Sequence, residues 1–135
     1  CKDVKKINIT ILGHFSDFLF YQLEQNFGVL QTTEVVITDE RIKHIQERHP
    51  LDYDLFELYG ESAIFSPDLL IRDEKHKGTV FAIKQLPETN LNVVVRLVLK
   101  SDESYFKNSV MTFYRIRNSN LAKLLKKNEL LYKKE

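Results

Sequence analysis

The chain is expected to fold as an α+β domain, with N-terminal helices packed on a twisted antiparallel β-sheet meander. Three observations predict this. Helical periodicity dominates from Ser16 to Phe65, strand-like alternation dominates from Leu69 to Arg117, and the links between the later strands are short enough for hairpins. A chain of 135 residues can bury one ordinary hydrophobic core, so residues 1–135 are read as a single domain. Hydrophobic content of 43% and charged content of 29%, with only 4 Gly and 3 Pro, exclude a disordered or fibrous chain.

The elements follow in order. Val4 to Leu12 alternates around Ile7, Ile9 and Ile11 as a strand, ended by Gly13. Ser16 caps a helix that Phe15 and Phe20 can staple, Leu19, Phe20, Leu23 and Phe27 give it a core-facing stripe, and Gly28 stands where a left-handed terminal residue belongs. A second helix begins at Asp39: Thr38 is its N-cap, Asp39 and Glu40 place negative charge in the first turn, and Ile37 and Ile42 form a staple. Pro50 disfavours helical geometry before it, which ends this helix near Arg48 or His49.

Asp54 to Phe65 continues helical, with Phe56, Tyr59 and Ala63 on one side and Gly60 weakening it. After Pro67-Asp68 the strands Leu69 to Arg72, Thr79 to Leu86, Leu91 to Lys100 and Asn108 to Arg117 are expected. Asp73 to Gly78 and Pro87 to Asn90 join them as hairpins, and Ser101 to Lys107 is a looser loop. Asn118 or Ser119 caps a last helix carrying Leu121, Leu124 and Leu125, and Leu130 to Glu135 is a tail.

Composition narrows function. No apolar run approaches the roughly 20 residues of a membrane span, and the start lacks the basic-then-apolar order of a signal peptide, so a soluble chain is expected. The single cysteine, Cys1, excludes an internal disulfide and any multi-cysteine metal site. Met111 is the only methionine, and the sequence is read as a piece of a larger polypeptide. A net charge of +1 makes no global case for nucleic acid, but Arg115, Arg117, Lys123, Lys126, Lys127, Lys133 and Lys134 form a local basic segment.

The helix from Asp39 carries the most chemistry. At roughly 100° per residue Ile42 and Ile45 define its buried side, with His49 beside them and Arg41, His44 and Arg48 along the flank. Cations bordering an apolar stripe are costly unless an anion meets them, which suggests a phosphate-binding edge. From residue type alone the histidines read as boundary residues beside a proline turn, and the arginines as ion-pair partners of Glu47 or Asp52. His44 and His49 diverge by about 140° around the helix, a poor arrangement for zinc.

The order of motifs resembles the phage-associated Barnase/EndoU/colicin/RelE-like nucleases, the BECR fold. The resemblance lies in His-Ile-x-x-Arg-His-Pro over His44 to Pro50, Pro67-Asp68, Lys84, the valines Val93 to Val95, and Met111-Thr112-Phe113-Tyr114. It spans about Thr33 to Tyr132 and leaves Cys1 to Gln31 without a counterpart.

The resemblance implies a toxin-like, metal-independent RNA endonuclease that needs no cofactor. It also implies RNA, tRNA included, as substrate, an immunity or antitoxin protein as partner, and a cytoplasmic site of action after delivery within a secreted or phage protein. Carried over residue by residue, the catalytic set is His44, Arg48, His49, Lys84 and Thr112, gathered around one cleft. Tyr114 is a weaker addition, and Arg41, Arg115 and Arg117 would contact substrate.

Metal-free RNA cleavage needs a base for the 2′-hydroxyl proton, an acid for the leaving 5′-oxygen and cations for the phosphorane. His44 suits the base and His49 the acid, in exchangeable roles, while Arg48, Lys84 and the Thr112 hydroxyl would hold the phosphoryl oxygens. The competing expectation is a non-catalytic module that binds RNA or a protein on the same fold.

Overall fold

The computed structural model describes residues 8–102 and 107–135. Its elements run β1 (Ile9–His14), α1 (Asp17–Phe27), β2 (Glu34–Thr38), α2 (Asp39–Arg48), α3 (Pro50–Phe65), β3 (Leu69–Arg72), β4 (Thr79–Gln85), β5 (Asn90–Arg96), β6 (Asn108–Ile116), α4 (Asn118–Lys127) and β7 (Leu130–Lys133). This is an α+β domain, its strands joined in one mixed sheet ordered β1-β2-β6-β5-β4-β3-β7. Cys1, residues 4–7 of the first expected strand and residues 103–106 of the expected loop lie outside the described residues. Among the described residues no helix is long and apolar enough to cross a membrane.

Local chemistry sets the helix ends. The Ser16 hydroxyl accepts from the Leu19 amide at 3.2 Å, and the Thr38 hydroxyl from the Arg41 amide at 3.1 Å. Gly28 follows α1 at φ 88°, a region side chains other than glycine avoid. Two expectations change. α3 begins at Pro50 instead of Asp54, since proline's fixed φ and missing N–H suit the first helical position and a single residue, His49, breaks the chain. Arg117, not Asn118 or Ser119, precedes α4, and the Asn118 Oδ1 accepts from Asn90 Nδ2 at 2.8 Å.

The hairpins β3-β4, β4-β5 and the pair β5-β6 form the expected antiparallel meander. Two strands beyond those expected extend it, and one of them makes the sheet mixed. β2 lies between β1 and β6 and runs parallel to β6, pairing Val35 with Asn108 and Val36 with Ser109. Val35, Val36 and Ile37 are all buried, so this strand shows a continuous apolar run in place of alternation. The long excursion through α2, α3 and the meander supplies the crossover that a parallel pair needs. At the opposite edge, the expected tail contains β7, antiparallel to β3.

The sheet has two unlike faces. The helix face carries Val35, Ile37, Leu70, Ala82, Val93 and Phe113, packed under Leu19, Leu23, Ile45, Phe56 and Ile64. At its centre the Phe56 and Phe113 rings stack at 3.8 Å, 8° from parallel. The other face carries Leu69, Ile71, Phe81, Ile83, Val94 and Ile116, which α4 covers at one end through Leu121 and Leu124. Beyond α4 this face is open.

Gly60 belongs to the Phe56 stack. A Cβ on Gly60 would sit 2.9 Å from the Phe56 ring, closer than packing allows. Gly60→Ala gains about 1 kcal/mol of helix propensity, but displacing a stacked ring from a filled core costs about 1–3 kcal/mol. The expected outcome is a lower melting temperature in thermal denaturation, where a solvent-facing helical glycine would give a higher one.

Candidate functional site

The five residues expected around one cleft are dispersed. Arg41, His44 and Arg48 are exposed on α2 and His49 just after it; α2 buries Ile45 and packs against β2 and α3. Lys84 shares the parity of Val80 and Ala82 on β4, so it stands on the helix face, and its Nζ donates to the Ser66 carbonyl at 3.3 Å. Ser66 follows α3 whereas His49 precedes it, and 16 residues at about 1.5 Å each put about 24 Å between those ends. Lys84 and His49 therefore cannot hold the same phosphoryl group.

Thr112 departs in the other direction. Val110 and Phe113 both face the helices, three residues apart, because a bulge falls between Val110 and Thr112 in the pairing with β5. The extra residue sends both Met111 and Thr112 to the open face. In a regular strand Thr112 would share Val110's face, the one that carries Lys84. The bulge thus separates two residues that sequence order had joined. Arg117 is exposed at the start of α4.

On the open face Thr112 enters a different constellation, a groove of about 1070 Å³. Phe81, Val94, Met111, Thr112 and Tyr114 form its floor. Lys75, His76 and Lys77 on the β3-β4 hairpin, Arg96 on β5, and Lys123 and Lys127 on α4 form its walls. Five Lys and Arg side chains face two carboxylates there, Asp73 and Glu74, although the whole chain carries only +1; Arg115, expected to contact substrate, shares the parity of Phe113 and turns its guanidinium to the helix face. A recess of about 280 Å³ shares Arg96 and Met111 with the groove and adds Lys107, which pairs with Glu34 at 3.1 Å. None of the α2 residues lines either space.

Hydrogen bonds fix several of these groups. Arg115 Nε donates to Asp52 Oδ1 at 2.6 Å and its amide to the same oxygen at 3.3 Å, tying α3 to β6. Asn92, 0% exposed, donates from Nδ2 to the Tyr114 hydroxyl at 3.0 Å. Having accepted that bond, the Tyr114 hydroxyl keeps its proton to donate into the groove. The Asn92 Oδ1 is buried without a hydrogen-bond partner among the described residues, a costly state that a polar ligand or water would relieve. Outside the groove, the Tyr53 phenol is held above its ordinary range because its hydroxyl donates to Glu57 at 2.8 Å.

Three groove cations, Lys75, Lys77 and Arg96, and His76 were not singled out by sequence. The first two and His76 sit in a charged hairpin loop, and Arg96 ends a strand whose alternation through Asn92 and Val94 could have placed it on the open face. Among the described residues no group of three or more His, Cys, Asp or Glu is arranged to hold a metal ion. Comparison of the chain with protein-family models, curated proteins and solved structures finds no match.

Proposed function

We propose that this domain binds single-stranded RNA along the groove of the open sheet face and cleaves it as a metal-independent endoribonuclease of the toxin-like kind. The observation that carries the reading is the concentration of five cations, Lys75, Lys77, Arg96, Lys123 and Lys127, around a floor bearing Tyr114, Phe81 and the Thr112 hydroxyl. Lysine and arginine meet phosphate oxygens with charge-assisted hydrogen bonds, and the half-exposed Tyr114 ring and Met111 offer apolar contact to bases. Cleavage comes from the resemblance, and its reacting groups are the RNA's own 2′-hydroxyl and the adjacent phosphorus. An immunity or antitoxin protein would act by covering the groove with acidic side chains.

A second reading is favoured by the dispersal of Lys84, Thr112 and the α2 residues: an RNA-binding module without turnover. Incubation with total RNA and tRNA in excess chelator, followed by end-group analysis, separates the two. New 2′,3′-cyclic phosphate and 5′-hydroxyl ends are the expected result. Salt-sensitive RNA binding with no new ends would leave the binding module, and no binding at all would remove both.

A further inference from the structure

Outside the set implied by the resemblance, the rim of the groove holds an oriented histidine. We propose that His76 is the proton-transfer residue of RNA cleavage and that Asp73 is its positioning residue, an assignment that rests on the ribonuclease reading above. Among the described residues His76 is the one imidazole lining the groove and the one within ion-pair distance of a carboxylate. Its Nδ1 lies 2.8 Å from Asp73 Oδ2, and its side chain is 74% exposed, open to a polymer passing along the groove.

The hairpin holds this pair in place. Asp73 is only 8% exposed, and its Oδ1 accepts from the Lys75 and His76 amides at 2.9 and 3.3 Å. The Asp73 amide donates to the Thr79 carbonyl at 3.0 Å, and the Thr79 amide to the His76 carbonyl at 3.1 Å. Gly78 turns the chain at φ 79°, and its carbonyl accepts from Leu97 at 2.8 Å. Oδ1 alone satisfies the turn, so the bond from Oδ2 to the imidazole is not needed to form it. With a carboxylate accepting at Nδ1, the proton sits there and the Nε2 lone pair is left free.

In the step this permits, Nε2 takes the proton of a 2′-hydroxyl as the 2′-oxygen bonds to phosphorus. The P–O5′ bond breaks with its electron pair going to the 5′-oxygen. The imidazolium returns the same proton to that oxygen, leaving a 2′,3′-cyclic phosphate and a 5′-hydroxyl. Lys75 and Lys77, on either side of His76, stand ready for the nonbridging oxygens.

The test measures cleavage of a short single-stranded RNA in chelator, affinity for its 2′-O-methyl analogue, and melting temperature. His76→Ala is expected to lower kcat by about 100-fold to 10,000-fold, with affinity for the analogue and melting unchanged and partial rescue by added imidazole. Asp73→Asn keeps an oxygen for the turn but offers Nδ1 an NH2 group that cannot accept, so kcat should fall while KM stays. Lys43→Ala, on the solvent side of α2, is the control. Parental cleavage by His76→Ala, or loss confined to His44→Ala or His49→Ala, would overturn the assignment and leave the ribonuclease reading standing. A parent that makes no new RNA ends would overturn both.

Discussion

Replacing Lys77, Arg96 and Lys123 together by glutamate is expected to abolish tight RNA binding while leaving the fold intact. The three sit on a hairpin, a strand and a helix that meet at the groove, and all are exposed. Each single-strand phosphate contact contributes a slope of about −0.7 to log K against log salt, so losing three removes about 2 from the slope and about 50-fold in affinity at 0.15 M. Three new carboxylates facing RNA add repulsion to that loss. Exposed substitutions of this kind change stability by roughly 0.5 kcal/mol or less each, so melting should move little. Titration of a fluorescent RNA by anisotropy at several salt concentrations reads both affinity and slope. An unchanged slope would mean that these cations do not meet phosphate.

Phe113→Ala is expected to cost about 3–5 kcal/mol, with a fall in melting temperature on the order of 10 °C. Phe113 is buried and stacked on Phe56 at the centre of the helix face, so the surrounding core cannot collapse into the space it leaves. Its neighbour Thr112 points to the opposite face, half-buried in the groove floor. Thr112→Val keeps the shape and strand preference and should stay within about 1 kcal/mol of the parent, yet it removes a hydroxyl from the RNA surface. Thermal denaturation of both variants with RNA binding of Thr112→Val tests the bulge directly. If Phe113→Ala cost little while Thr112→Val stabilised the protein, the two side chains would have exchanged faces, since a valine methyl in the core relieves the cost of a buried hydroxyl.

That bulge also explains why the site was harder to read from sequence than the fold. Ser16, Thr38, Gly28 and Pro50 act through neighbours a few residues away, and the ends of α1 and α2 were legible locally, whereas the start of α3 at Pro50 was not. The meander followed likewise, because short links leave antiparallel pairing little choice. β2 was missed because its three apolar residues show no alternation and its partner β6 lies some seventy residues on, a pairing that no local pattern encodes. β7 was missed because four residues with one exposed leucine look like a tail until β3 presents an edge. Lys84 and Thr112 were joined by order along the chain, whereas sharing a site depends on the parity of each strand and on one unpaired residue at Met111.

The groove depends on that same long-range geometry. Arg96, Lys123 and the hairpin cations are separated in sequence by ordinary polar stretches, and only the open end of the sheet beyond α4 brings them together. Their combined field is local, which is why a net charge of +1 concealed it.

The most direct test of RNA binding in this groove is backbone amide shift mapping of the isotope-labelled protein titrated with 2′-O-methyl single-stranded RNA. Perturbations are expected across residues 73–79, 94–96, 111–116 and 120–128, the hairpin, strand ends and helix that line the groove. Perturbations confined to residues 41–49, on α2 and its C-cap, with the open sheet face silent, would contradict the account.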